Sequence, residues 1–217
     1  FAGNLVKQSD NLNDVLMVYD ELNRLIQKIS SGINETYSYD KTIGTLSSVK
    51  TNSITKNFTY DQRLRVTKEG RIIDGKSYNF SWEYDNLNRV SSKTLPNNQK
   101  ITYTYDDISN LKSISGILSD ITYNEANLQT SRTYANSLKT NLSYNSTNFR
   151  LTEIKTPGKQ DLDYSYDSEG SIIKIDDTII GTKENFTYDS LNRLTKAEKK
   201  SNSGSIIYSI NYIYDSI

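Results

Sequence analysis

The chain has 217 residues, with 26 basic against 26 acidic side chains and neither cysteine nor histidine. That balance supplies no field to gather nucleic acid or anionic lipid, and the missing residues exclude disulfides, thiolate and imidazole catalysis, and zinc held by Cys or His. Only 35% of residues are apolar, yet Pro (2) and Gly (10) are scarce and Tyr (17) is abundant, a composition of extended strands that bury one face modestly rather than of disorder.

In chain order, the opening FAGNL reads as the tail of a preceding turn. Residues 12–29 carry two patterns. Leu12, Val15, Leu16, Tyr19, Leu22, Ile26 and Ile29 follow helical spacing. Residues 19–29, YDELNRLIQKI, share the frame of YDNLNRVSSK (84–93) and YDSLNRLTKA (188–197), and the first of those follows strict alternation. The repeat favours strands here too, with residues 9–17 fitting least well.

The Tyr-Asp pair then recurs along the chain. It stands at Tyr19-Asp20, Tyr39-Asp40, Tyr60-Asp61, Tyr84-Asp85, Tyr105-Asp106, Tyr166-Asp167, Tyr188-Asp189 and Tyr214-Asp215. Asn124 and Asn145 replace Asp after Tyr123 and Tyr144. Spacings between these tyrosines run from 18 to 26 residues, the scale of a repeat architecture. Before each pair the sequence alternates: YNFSWEYD puts Tyr78, Phe80, Trp82 and Tyr84 on one face and Asn79, Ser81 and Glu83 on the other. Period two is a strand.

After each pair a turn is expected, the Asp carboxylate accepting a backbone N–H two residues on. Three residues past Asp stands a residue that tolerates positive φ: Asn23, Asn88, Gly170 or Asn192, with Ser109 a weaker choice and Leu64 a poor fit. The turns after Asp40 and Asn145 look one residue longer, and the one after Asn124 one shorter. Beyond the turn, apolar residues three apart, such as Leu111 and Ile114, break period two and imply a bulge.

Few residues invite chemistry. The recurring aspartates are equivalent, which suits turn formation rather than catalysis. No catalytic residue, cofactor or metal is assigned, and the chain is expected not to be an enzyme. Asp106-Asp107, Asp161 with Asp163, and Asp176-Asp177 lack calcium-loop spacing. Asn34, Asn57, Asn79, Asn141, Asn145 and Asn185 are candidate glycosylation acceptors, though about five such sequons are expected by chance.

The Y-D-x-x-G/N-R/N-L grammar, carried over the whole chain, resembles the RHS/YD-repeat family of bacterial polymorphic toxins, toxin-complex cocoons and teneurins. The resemblance implies an all-β fold in which repeated β-hairpins form one long curved antiparallel sheet, a segment of a shell. Twenty strands at about 4.8 Å would make a strip about 95 Å wide. It further implies a single array over residues 1–217, cut within a turn at both ends, that encloses or presents another part of a large secreted or cell-surface protein. That part would be a toxin or effector in the remainder of the chain. The alternative is an adhesion or carbohydrate-binding array whose partners are glycans or surface receptors. Neither nucleic acid nor membrane insertion is implied. The family's self-cleaving core carries a D-P-x-G-L type motif. Here Pro96 follows Leu95 and Pro157 follows Thr156, so no cleavage or toxic activity is assigned.

Overall fold

The computed structural model describes residues 3–9 and 14–215. Phe1, Ala2, Leu12, Ser216 and Ile217, which figure in the readings of the two ends and of the helical alternative, lie outside them. The chain forms two compact units, residues 1–103 and 104–217. Every regular element among the described residues is a strand.

The first unit runs β1 (Lys7–Ser9), β2 (Asp14–Tyr19), β3 (Leu25–Ser30), β4 (Ile33–Tyr39), β5 (Leu46–Lys50), β6 (Ile54–Tyr60), β7 (Val66–Ile73), β8 (Lys76–Tyr84) and β9 (Val90–Thr94). The next strand, β10 (Lys100–Tyr105), pairs with β9, and the boundary between the units falls within it. The second unit continues with β11 (Leu111–Ile114), β12 (Leu118–Tyr123), β13 (Gln129–Tyr134), β14 (Lys139–Tyr144) and β15 (Leu151–Thr156). It ends with β16 (Gln160–Tyr166), β17 (Ile172–Asp177), β18 (Thr182–Tyr188), β19 (Leu194–Ser201) and β20 (Ile206–Asn211). Within each unit every strand pairs antiparallel with the next in sequence. The helical spacing at 12–29 yields to the repeat: residues 14–19 and 25–30 are β2 and β3, in register from Val15↔Ser30 to Val18↔Gln27.

Register sorts the side chains into two faces. One row on the tyrosine face of the first unit runs Tyr37, Val49, Lys56, Arg71, Tyr78 across successive strands. The matching row on the other face runs Ser38, Ser48, Asn57, Gly70, Asn79. In the second unit Leu142, Ile154 and Leu162 align on the tyrosine face. Single layers of this kind bury little. Among the described residues the buried apolar side chains are Ile121 (7% exposed) and Ala197 (5%). Thr140 and Thr156 are buried on each other, Oγ1 to Oγ1 at 2.6 Å. Stability therefore comes from ladders and corners rather than from a packed interior.

The expected bulge is present after the turns. Val18 pairs with Gln27 but Tyr19 with Leu25, which leaves Ile26 as the extra residue. The same slip leaves Ser47, Thr67, Ser91, Thr130, Thr152, Ile173 and Thr195 unpaired. One extra residue resets the alternation, so Leu194 and Ala197, three apart, share a face. That is the spacing that broke period two in the sequence.

The turn chemistry also follows. In the short corner the Asp20 N–H donates to the Arg24 carbonyl and the Asn23 N–H donates to the Asp20 carbonyl, with Asn23 at φ 61°. Gly44 and Phe149 take the positive-φ place one residue late, so the corners after Asp40 and Asn145 are longer by one. The corner after Asn124 corrects the reading of a shorter unit. Asn127 (φ 61°) donates to the Asn124 carbonyl, which is the ordinary length. Leu128 occupies the place Arg takes elsewhere, so the apolar residue comes early without any residue being lost.

Leu64 holds φ 60° with its side chain 53% exposed, so it carries left-handed strain without a packing return. Leu64→Asn is expected to stabilise the chain by about 0.5–1 kcal/mol, read as a higher urea midpoint at unchanged slope.

Candidate functional site

The repeated Tyr-Asp pairs gather into rows of corners along one end of the strands. Four of them share one construction. At Asp20, Oδ1 accepts the Leu22 and Arg24 N–H groups, and Oδ2 accepts from the Arg24 guanidinium at 2.7 Å. Asp61 with Arg65, Asp85 with Arg89, and Asp189 with Arg193 repeat this arrangement. The guanidinium then lies over the tyrosine of the next repeat: Arg24 over Tyr39 at 4.4 Å, Arg65 over Tyr84 at 4.4 Å, and Arg193 over Tyr214 at 4.5 Å.

That tyrosine closes the link. The Tyr39 hydroxyl donates to the Leu25 carbonyl, beside the bulge of the preceding repeat, at 2.8 Å. Tyr60 reaches Leu46, Tyr84 reaches Val66, Tyr123 reaches Leu111, Tyr144 reaches Gln129, Tyr166 reaches Leu151, Tyr188 reaches Ile172 and Tyr214 reaches Leu194 in the same way. Tyr19 reaches the Leu5 carbonyl. The bulge turns a carbonyl out of the ladder, and the incoming tyrosine satisfies it. Asp, Arg and the next Tyr thus form one latch, of which the sequence reading found the first and last parts.

Arg193 is the middle of one such latch. Asn185 sits cross-strand, between Lys174 and Glu198. The signal for the arginine was present in the sequence: Arg24, Arg65, Arg89 and Arg193 all stand four residues past the repeat aspartate.

The carboxyls of Asp20, Asp61, Asp85 and Asp189 are held below the usual carboxylate range. For Asp20 and Asp189 the backbone N–H of the following arginine is the first cause, helped by its guanidinium. For Asp61 the Arg65 guanidinium comes first. At Asp85 burial pushes upward most strongly, and the Arg89 N–H and guanidinium together outweigh it. Burial pushes the phenols of Tyr60, Tyr123, Tyr144 and Tyr188 upward, and Tyr37 rises to about 12 through burial and its bond to Glu35.

The signs fix a pH window. A depressed Asp stabilises fully above its unfolded value of about 3.9 and loses that contribution as pH falls through the folded value. A raised Tyr stabilises fully below its unfolded value of about 10 and loses that contribution as pH rises through the folded value. No histidine titrates between them. Stability is expected to be flat from about pH 5 to about pH 9 and to fall on either side. On the alkaline side, ionisation of Tyr60, Tyr123, Tyr144 and Tyr188, followed by their ring NMR signals, should coincide with loss of β circular dichroism. Ionisation of these four near pH 10 with the sheet intact would be inconsistent with their acting as latches.

Asp106, Asp161, Asp176 and Asp177, singled out in the sequence, are structurally employed. Asp106 accepts the Ile108 and Asn110 N–H groups, and Asp177 accepts those of Ile179 and Ile180, so both shape turns. Asp161 binds Lys155 at 2.6 Å, and Asp176 binds Lys174. Asp163 stands between Glu153 and Asp176 in register. Among the described residues no group of three acidic side chains is placed to hold a metal ion. Asn34, Asn57, Asn79, Asn141 and Asn185 all lie on the face opposite the tyrosines. Sequences such as NFTY and NFSW put Asn and Ser or Thr on that polar face by alternation, which is how the sequons arise. Asn145 instead heads a corner, its Oδ1 accepting the Thr147 and Asn148 N–H groups.

No known family profile and no curated protein matches the chain. Solved structures do. A crystal structure of TcdB2-TccC3-Cdc42 aligns with TM-score 0.64 at 18% identity, over 85% of this chain and 13% of that one. The chain has the fold of an RHS/YD-repeat segment. TcdB2-TccC3 itself aligns with TM-score 0.60 at 15% identity, over 96% of this chain and 16% of that one. The Photorhabdus luminescens Tc holotoxin pore gives 0.57 at 17% identity, again over 96% and 16%. The chain thus spans about a sixth or less of each of these proteins. At such identities the RHS/YD grammar survives as fold while most side chains differ.

Proposed function

We propose that the chain is a wall segment of an RHS/YD-repeat shell, which encloses or presents another part of a large secreted or cell-surface protein, a toxin or effector. Its work is mechanical and it is not an enzyme. The latch repeated from corner to corner carries this reading. Where it is complete it ties one repeat to the next, and where the arginine is missing the tyrosine hydroxyl alone makes the tie, as a wall requires. The fold likeness to segments of TcdB2-TccC3 supports the same reading. Among the described residues no helix is long and apolar enough to cross a membrane.

The test is limited proteolysis of the longer protein that this reading requires. The remainder of the chain should be protected while the wall is intact, and become cleavable when Tyr84→Ala and Tyr188→Ala remove two of the tyrosine ties between repeats. Equal cleavage with and without those substitutions would contradict enclosure and favour an adhesion array without cargo.

A further inference from the structure

The corner at Asn145 braces the next corner as its neighbours do, but without a carboxylate of its own. Its turn is one residue longer, and the arginine that follows it, Arg150, has no acid of its own because Asn145 stands where Asp stands elsewhere. Arg150 donates from one terminal nitrogen to the Asp167 carbonyl at 2.8 Å and from the other to the Ser168 carbonyl at 3.3 Å. Both partners are neutral. Among the described residues the guanidinium forms no ion pair, and it lies 5.7 Å from the centroid of the Tyr166 ring, with an edge left toward solvent.

The sequence makes room for that guanidinium. Gly170, at φ 104°, would place a Cβ 2.7 Å from a terminal nitrogen of Arg150 and 3.0 Å from its Cζ. The positive charge borders an open groove of about 620 Å³, walled by Tyr164 and Tyr166 and edged by Asn145, Asn148 and Thr152. The Asn145 and Asn148 carbonyl oxygens are taken up by the turn's own N–H groups, so their amide NH2 groups are what they offer outward. Asp167 also borders the groove, but its Oδ1 is turned to the Gly170 and Ser171 N–H groups. Asp167 is the one carboxylate lining this groove, beside a guanidinium that forms no ion pair. The equivalent groove at the corner of Asp189 is the reverse: Asp167, Glu169 and Asp189 line it.

We propose that the Asn145 corner is a binding site for a carboxylate carried on a small ligand, held by the fork of Arg150 with the two asparagine amides beside it. Planar guanidinium and planar carboxylate match in geometry, and the tyrosine wall accepts the body of the ligand. A carboxylate can come from an acidic sugar or from an amino-acid side chain, and the probes separate the two.

Titration of the 217-residue chain with glucuronate and with N-acetylglutamate, against glucose and N-acetylglutamine, reads binding by NMR shifts of the groove amides. At least one acid is expected to give a saturable shift across the millimolar range while both neutral counterparts give none. Glucuronate alone would assign a sugar ligand, and N-acetylglutamate alone a peptide-like one. Asn148→Asp keeps the acceptor for the Arg150 N–H and sets a second carboxylate beside the guanidinium, and it should weaken binding about tenfold or more. Asp167→Asn keeps its turn acceptor, removes a negative charge and should tighten binding severalfold. Both are read with unchanged circular dichroism, so a folding defect is not mistaken for lost affinity. Binding of neither acid, equal binding of acids and neutral counterparts, or an Asn148→Asp chain that binds as before would overturn the proposal.

Discussion

Tyr84→Ala is expected to destabilise the first unit by about 3 kcal/mol, and Tyr84→Phe by about 1 kcal/mol. The larger loss combines three contributions. The ring is half-buried on its face of the sheet, the Arg65 guanidinium lies 4.4 Å from its centroid, and its hydroxyl donates to the Val66 carbonyl at 2.7 Å. Phenylalanine keeps the first two and leaves the bulge carbonyl unsatisfied. The difference between the two variants therefore measures ring and cation contact apart from the hydrogen bond. Urea unfolding checks both, and equal costs for the two would mean that the ring contributes nothing beyond its hydroxyl.

Gly170→Ala is expected to cost about 2–3 kcal/mol, from two sources. A side chain at φ 104° is strained whatever surrounds it, and the new Cβ displaces the guanidinium that braces the corner of Asp167. The two sources can be separated because the second exists only while Arg150 is present. In an Arg150→Ala background the cost of Gly170→Ala should fall toward the backbone strain alone. An undiminished cost would show that the guanidinium does not brace this corner.

Strands and corners were legible because each is written locally. Alternation in YNFSWEYD or KITYTYD fixes a strand and its faces, and Asp followed three residues later by Asn or Gly fixes a short corner. Leu64 shows the limit of that code: it breaks the local preference, yet the repeat holds it at φ 60°. The corner after Asn124 was misread because Leu128 and Gln129 shift the apolar cue by one place while the backbone keeps its length. The latch was only half legible. The Asp-to-Arg step is four residues within one repeat, but the Arg-to-Tyr step spans repeats of unequal length, 15 residues from Arg24 to Tyr39 and 19 from Arg65 to Tyr84. Nothing local says that those side chains meet. The groove at Arg150 was hidden for a related reason, since its character lies in a missing aspartate rather than in a motif present.

Corners also differ in how they are tied. Asp106 is followed at the arginine place by Asn110, Asn124 by Leu128 and Asp167 by Ser171, so those links rest on the tyrosine hydroxyl and the turn without the guanidinium. The latch is a graded device, strongest where all three residues are present.

The direct test of the latch is a double-mutant cycle on Arg65 and Tyr84, using Arg65→Met and Tyr84→Ala and the unfolding free energies of the four chains. If the arginine of one repeat grips the tyrosine of the next, the two losses will overlap by about 1 kcal/mol. Losses that add to within about 0.3 kcal/mol would mean that the two side chains act independently and that no arginine–tyrosine grip joins these repeats.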